Sequence, residues 1–218
     1  MAEPLVGVLA LQGDFEAHAR VLRRLGAAVR EVRVAADLDG VCGLVIPGGE
    51  STTMTLGVRR EGLAEPIAAL VGDGLPVLGS CAGLIMLDRA HLGLMDILAQ
   101  RNAFGRQIKS FEADVAVAGL PGGPLRAVFI RAPWIAEHGP DVQVLAEVDG
   151  HPVAARQGQM LVVAFHSELS DDDRVHELLL DWARRFVAGR GRGAAAAGVI
   201  STRGRSAERT HRLARRHV

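Results

Sequence analysis

Leu75-Pro76-Val77-Leu78-Gly79-Ser80-Cys81-Ala82-Gly83-Leu84-Ile85-Met86-Leu87 decides how the rest of the chain is read. The apolar Leu75–Leu78 stretch predicts a buried strand, and Leu84–Leu87 predicts a helix. Between them lies a sharp turn with Cys81 at its tip and a glycine on either side. A side chain held on a tight strand-to-helix turn has backbone pressed close around it, so its neighbours must be small. Backbone N–H groups of the following helix then point toward the thiol, where they stabilise a thiolate and later an oxyanion.

Working outward, Val6-Gly7-Val8-Leu9-Ala10-Leu11 is a continuous apolar run, as in a strand covered on both faces of a parallel sheet. Gln12-Gly13-Asp14 breaks it. Phe15, Ala19, Leu22 and Leu25 follow at helical spacing, with Gly26 placed to end that helix. Val29–Val34 alternates like a strand. Gly43–Ile46 is a short buried strand closed by Pro47-Gly48-Gly49, and a helical stretch interrupted near Gly62 runs to Val71. This order predicts an α/β fold: an open, mostly parallel sheet with helices on both faces.

After about Arg101 the texture changes. Phe111–Val117, Ala127–Ile130, Val142–Val148, Val153–Arg156 and Leu161–Phe165 are strand-like pieces at close spacing, separated by Gly- and Pro-containing turns. They predict antiparallel additions beside the parallel sheet. A last helix is expected from about Asp172 to Val187. Residues 189–218 carry eight Arg and one Glu, a net +7, so residues 1–188 carry −7 although the whole chain is neutral. The expected organisation is one domain over 1–188 followed by a basic, disordered tail over 189–218. The tail has no aromatic residue to stack on bases, so no nucleic-acid partner is expected.

The 218 residues suffice for one full hydrophobic core, and 49% hydrophobic with 23% charged residues is ordinary for a globular protein. No run of membrane-span length and no signal-peptide pattern is visible, and Cys42 and Cys81 make no disulfide framework. A cytoplasmic setting without a membrane partner is the expectation.

A cysteine nucleophile needs a base, and the base needs an orienting group. Phe165-His166-Ser167-Glu168 follows the apolar Leu161–Ala164 stretch. On an extended chain residues i and i+2 share a side, so Glu168 would hold the His166 imidazole. If this strand and Leu75–Leu78 run the same way in one sheet, the three side chains meet at one rim. Cys42 reads as a buried, inert thiol, and His18, His91, His138, His151, His176, His211 and His217 as surface or hydrogen-bonded residues. Pro47-Gly48-Gly49-Glu50-Ser51-Thr52 lets a ligand approach the main chain. Ser51 or Thr52 is placed to cap the next helix, and the P-loop pattern is absent.

Together these segments resemble the class I, triad-type glutamine amidotransferases, with a flavodoxin-like sheet. Among them the chain is similar to the glutaminase subunits of pyridoxal 5′-phosphate synthase. The more specific stretches are Ile46-Pro47-Gly48-Gly49-Glu50-Ser51-Thr52-Thr53-Met54, Arg101-Asn102-Ala103-Phe104-Gly105-Arg106-Gln107 and Phe129-Ile130-Arg131-Ala132-Pro133. The resemblance covers residues 5 to about 187. It implies Cys81 as nucleophile, His166 as acid and base, and Glu168 as orienting carboxylate. It also implies glutamine contacts from Gly49, Glu50, Ser51, Arg101, Ile130 and Arg131, and oxyanion donors at the Gly49 and Ala82 backbone. No metal or cofactor is implied. The implied partner is the synthase subunit that accepts ammonia, in a large hetero-oligomer. A glutaminase of another pathway and a non-catalytic scaffold subunit are the alternatives. Two departures from the family pattern stand out: Ser167 replaces a usual proline, and the stretch between Met86 and Leu92 is shorter than usual.

Overall fold

In the computed structural model, which describes residues 3–104 and 110–190, the apolar runs form the centre of a seven-stranded sheet. Strand β1 is Leu5–Leu9, followed by helix α1 (Phe15–Arg24) and strand β2 (Ala28–Val32). Then come β3 (Gly43–Ile46), helices α2 (Ser51–Arg60) and α3 (Ala64–Gly72), β4 (Val77–Ser80) and α4 (Ala82–Leu87). The break between α2 and α3 falls at the expected glycine, since Gly62 takes φ +62°. Beyond lie β5 (Ile97–Gln100), β6 (Ser110–Val115), β7 (Leu125–Ile130) and β8 (Trp134–His138). Strands β9 (Gln143–Val148), β10 (His151–Gln157) and β11 (Met160–Val163) precede helix α5 at 174–190.

The sheet order is β2-β1-β3-β4-β11-β10-β9. Strands β2, β1, β3, β4 and β11 are mutually parallel, and β10 and β9 continue the sheet antiparallel. Strands β3, β4 and β11 are buried at every residue, which explains their unbroken apolar sequences. Alternation along β4 separates the two helical layers. A side chain on Gly79 would strike α4, whereas Ser80 meets His18 of α1. Helix α5 packs beside α1, where Arg24 pairs with Asp173 and His18 touches His176. Each large apolar side chain fully buried here contributes about 1.5–3 kcal/mol.

The antiparallel additions differ from expectation in two ways. Residues Leu161–Val163 lie in β11, which is parallel to β4 and inside the main sheet, and β10 and β9 extend that sheet instead of packing beside it. Among the described residues only β5–β8 and β6–β7 form separate two-stranded sheets. Of these strands β5 and β8 had no sequence signal; their pairing carries an irregularity between Leu98 and Ala99, which breaks the period of two. Aromatic contacts lock the small sheets to the main one. Phe111 stacks on Phe129 at 4.6 Å, and Phe129 meets Phe165 edge-on at 5.6 Å. Helix α5 covers residues 189 and 190, so the sequence boundary at 188 falls within it; the rest of the basic tail lies outside the described residues. Among the described residues no helix is long and apolar enough to cross a membrane.

Candidate active site

Four parallel strands end at one rim, and each contributes to a single pocket of about 280 Å³. Gln12 and Asp14 follow β1, Gly49 to Ser51 follow β3, Cys81 follows β4 and His166 follows β11. The C-terminal edge of a parallel sheet is where ligands bind in this architecture, because chain crossovers leave a crevice there.

Cys81 sits at φ 48° and ψ −103°, a conformation that costs about 1–3 kcal/mol for a residue with a Cβ. The surroundings hold it there. Its N–H donates to Val163 O at 2.8 Å, tying the turn to the neighbouring strand. A Cβ on Gly83 would come within 2.0 Å of Ile46 O, and one on Gly79 within 2.8 Å of the Gly83 backbone. Those two glycines let β4, α4 and β3 close around the cysteine. Cys81 is 7% exposed, and its thiol faces Ile130 O at 3.9 Å.

His166 and Glu168 do come together with Cys81, but by another backbone route than the one expected. His166 is extended (φ −91°, ψ 92°), and Ser167–Leu169 then form one turn of 3-10 helix. Glu168 therefore turns inward by helical winding and not by strand alternation, because β11 has already ended at Val163. His166 Nδ1 is 2.7 Å from Glu168 Oε1, and both residues are buried. Burial alone would pull the His166 pKa down; the adjoining Cys81 and Glu168 outweigh it and raise it to about 10. Burial likewise opposes the Glu168 carboxylate, but His18 and His166 more than compensate and its pKa is lowered. Asp14 Oδ2 stands 3.9 Å from His166 Nδ1, at the open side. Asp14, His166 and Glu168 could bring ligand atoms within 4.8 Å of one another, yet Nδ1 of His166 is already engaged by Glu168.

The six residues expected to contact substrate all line the pocket: Gly49, Glu50, Ser51, Arg101, Ile130 and Arg131. Their details differ from the reading by sequence. Glu50, not Ser51 or Thr52, caps α2; its Oε2 accepts from Thr53 N at 2.8 Å, and that bond leads in lowering its pKa to about 2. Arg101 reaches across the mouth to Glu50 Oε1 at 2.9 Å. The Ser51 hydroxyl is buried at the pocket wall without a partner. Arg131 adopts φ 44° in the turn after β7, and Val128 O accepts from His166 N at 2.8 Å. The β6–β7 sheet thus carries Ile130 and Arg131 over Cys81. Of Arg101–Gln107, residues 105–107 lie outside the described residues.

Several contacts in the site were not foreseen from the sequence. Gly48 lies so close that a Cβ there would be 2.5 Å from His166 Cε1 and 3.4 Å from Cys81 Cβ. Gln12 Oε1 accepts from Glu50 N at 2.6 Å, bracing the Gly48-Gly49 turn. Behind Glu168 stand His18, Ser80 and His176, all with 0% exposure. His18 and His176 are hydrogen-bonded, but in the interior and not at the surface. Cys42 is buried, donates its thiol to Leu5 O at 3.1 Å and has its pKa raised by burial.

A strained cysteine between strand and helix, backed by imidazole and carboxylate from the turn that follows the adjacent parallel strand, is the arrangement of a triad-type glutamine amidotransferase. The chain belongs to the SNO glutamine amidotransferase family, whose model matches residues 8–185. It is 52% identical over 192 residues to the pyridoxal 5′-phosphate synthase subunit PdxT of Mycolicibacterium vanbaalenii, covering 83% of this chain and 98% of that one. With the subunit of the same name from Acidothermus cellulolyticus it shares 54% over 187 residues, 79% of this chain and 90% of the relative. A crystal structure of a glutamine amidotransferase superposes with a TM-score of 0.77 at 43% identity, over 82% of this chain and 98% of that one.

Proposed function

We propose that this chain hydrolyses the side-chain amide of L-glutamine to L-glutamate and ammonia, and delivers the ammonia to a pyridoxal 5′-phosphate synthase subunit. The observation that carries this reading is the strained Cys81 elbow beside the His166–Glu168 bond of 2.7 Å. The Cys81 thiolate attacks the amide carbon and forms the C–S bond. The resulting oxyanion is stabilised by the Ala82 and Gly49 backbone N–H groups. His166, held protonated by its neighbours, gives its proton to the departing nitrogen as the C–N bond breaks. Water then gives a proton back to His166 and attacks the thioester, and the C–S bond breaks to release glutamate.

Glu50, Ser51, Arg101, Ile130 and Arg131 are the proposed holders of the amino-acid end of glutamine. A pocket of about 280 Å³ suits a ligand of that size. Free ammonia becomes protonated in water and loses its nucleophilicity, so an acceptor subunit docked over the rim is the chemically sensible partner. A hetero-oligomer in the cytoplasm is the proposed setting, and no cofactor enters any step.

The test is glutamate release by the full chain mixed with glutamine and the synthase subunit. Cys81→Ala should abolish it. Activity surviving in that variant, or no faster labelling of Cys81 by a glutamine-analogue electrophile than of a free thiol, would end this reading.

A further inference from the structure

We propose that His18 is a positioning residue for this site: a neutral, buried imidazole that holds the second oxygen of Glu168 through the Ser80 hydroxyl, with its own tautomer set by His176. The inference rests on the proposed roles of Cys81, His166 and Glu168. It adds two residues from distant parts of the chain, one on α1 and one on α5.

The hydrogen-bond accounting admits one consistent arrangement. An ionised Glu168 can only accept. Its Oε1 takes the Nδ1–H of His166 at 2.7 Å. Its Oε2 lies 3.2 Å from His18 Nε2 and 3.5 Å from Ser80 Oγ, and His18 Nε2 is 3.0 Å from that hydroxyl. A proton on His18 Nε2 is donated to the Ser80 hydroxyl, which in turn donates to Glu168 Oε2. A lone pair there would face a carboxylate oxygen in the interior, where repulsion is poorly screened. A neutral His18 protonated on Nε2 has a bare Nδ1, which accepts from His176 Nε2 at 2.9 Å. His176 Nδ1 then carries only a lone pair, and it is the atom found buried without a partner. The opposite assignment would strand an N–H there, which is the costlier defect.

The electrostatics agree. His18 is fully enclosed, and burial, the largest influence on it, lowers its pKa despite the pull of Glu168 and Asp14; His166 pushes the same way as burial. His176 is lowered to about 3, mainly by burial, with His18 and Arg24 adding to it against Glu168. Both rings therefore stay neutral and act as directional donors, not as cations.

The need for such a donor follows from the local fold. Glu168 sits on a single 3-10 turn, which has too few internal hydrogen bonds to fix a carboxylate plane. The His166 N–H on Oε1 and, on Oε2, the Ser80 hydroxyl held by the His18 N–H fix it. Groups that orient the imidazole ligands of metal sites from behind matter by about 10–100-fold in function, and an effect of that size is expected here.

The experiment compares His18→Leu and His18→Gln in the full chain with the synthase subunit, alongside Cys81→Ala and tautomer-resolved 15N spectra of the histidine-labelled wild type. Glutamine at position 18 can put an amide N–H near the place of Nε2. We expect His18→Leu to lower kcat about 10–100-fold with little change in KM, and His18→Gln to recover most of that loss. The pH profile of Cys81 alkylation should move in His18→Leu and return in His18→Gln. The spectra should show Nε2–H tautomers for His18 and His176. A His18→Leu chain with full kcat and only a lower Tm would reduce His18 to packing and overturn the inference. So would an Nδ1–H tautomer at His18, a measurement that needs no variant to fold. If Cys81→Ala itself stays active, the underlying hydrolytic reading fails instead.

Discussion

Gly48 occupies the tightest place in the site, wedged between the nucleophile and the base. A methyl group there would be driven to within 2.5 Å of His166 Cε1, and the atom it meets belongs to a ring already bonded to Glu168. The ring has to swing or the β3 turn has to lift. Either displacement approaches 1 Å, and misplacement of that size costs roughly 100-fold in rate. Gly48→Ala should therefore lose about two orders of magnitude in glutamate release while its far-UV circular dichroism stays unchanged. Near-full activity would mean that this turn moves away from His166 in the working enzyme. Gly48 and His18 also mark where sequence reading stops at this scale. Cys81 was legible because small residues on both sides of a strand-to-helix turn leave a local mark. The partner of His18 stands 158 residues away, and no spacing rule links positions 18 and 176. Gly48 was quoted within its motif, but its closeness to His166 exists only once β3 and β11 sit on either side of β4.

At the scale of elements, the turn after β11 differs most from its reading by sequence. His166 and Glu168 were expected on one side of an extended chain, and that geometry would suit the serine between them. The 3-10 turn changes the expectation. Ser167 is its first residue, where an N–H has no partner within the helix and a φ near −65° is required. Its hydroxyl is buried and unpaired, a defect of about 1–3 kcal/mol. Proline satisfies all three conditions: it lacks the N–H, fixes the angle and removes the hydroxyl. The preceding His166 is extended, outside the α region that a following proline disfavours. Ser167→Pro should raise Tm by about 2–4 °C for each kcal/mol gained and leave kcat close to wild type. A lower Tm would show that Ser167 does not hold a proline-like φ. The parallel half of the sheet was readable because strands covered on both faces are apolar throughout. The place of β11 was not, since four buried apolar residues say nothing about which neighbour they pair with.

For the whole molecule, buried histidines should set how stability depends on pH. His166 has its pKa raised to about 10, so the folded chain holds a proton there that the unfolded chain releases above about pH 6.5. Its contribution is fully present below that value and is lost as pH rises toward 10. His18 and His176 have lowered pKa values and stay neutral in the fold, while the unfolded chain protonates them below about pH 6.5. Their burial costs stability progressively as pH falls from there. Glu168, lowered by His18 and His166 against its burial, adds stability above the ordinary carboxylate range that is lost in acid. The opposing trends meet near neutrality, so urea unfolding between pH 4 and 10 should give a maximum at about pH 6–7. Each histidine that titrates on unfolding adds a slope of up to about 1.4 kcal/mol per pH unit. His166→Gln should flatten the alkaline limb, and His176→Leu the acid limb. If His176→Leu left the acid limb as steep as in wild type, His176 would be protonated in the fold. The neutral chain from His176 through His18 to Glu168 would then be absent.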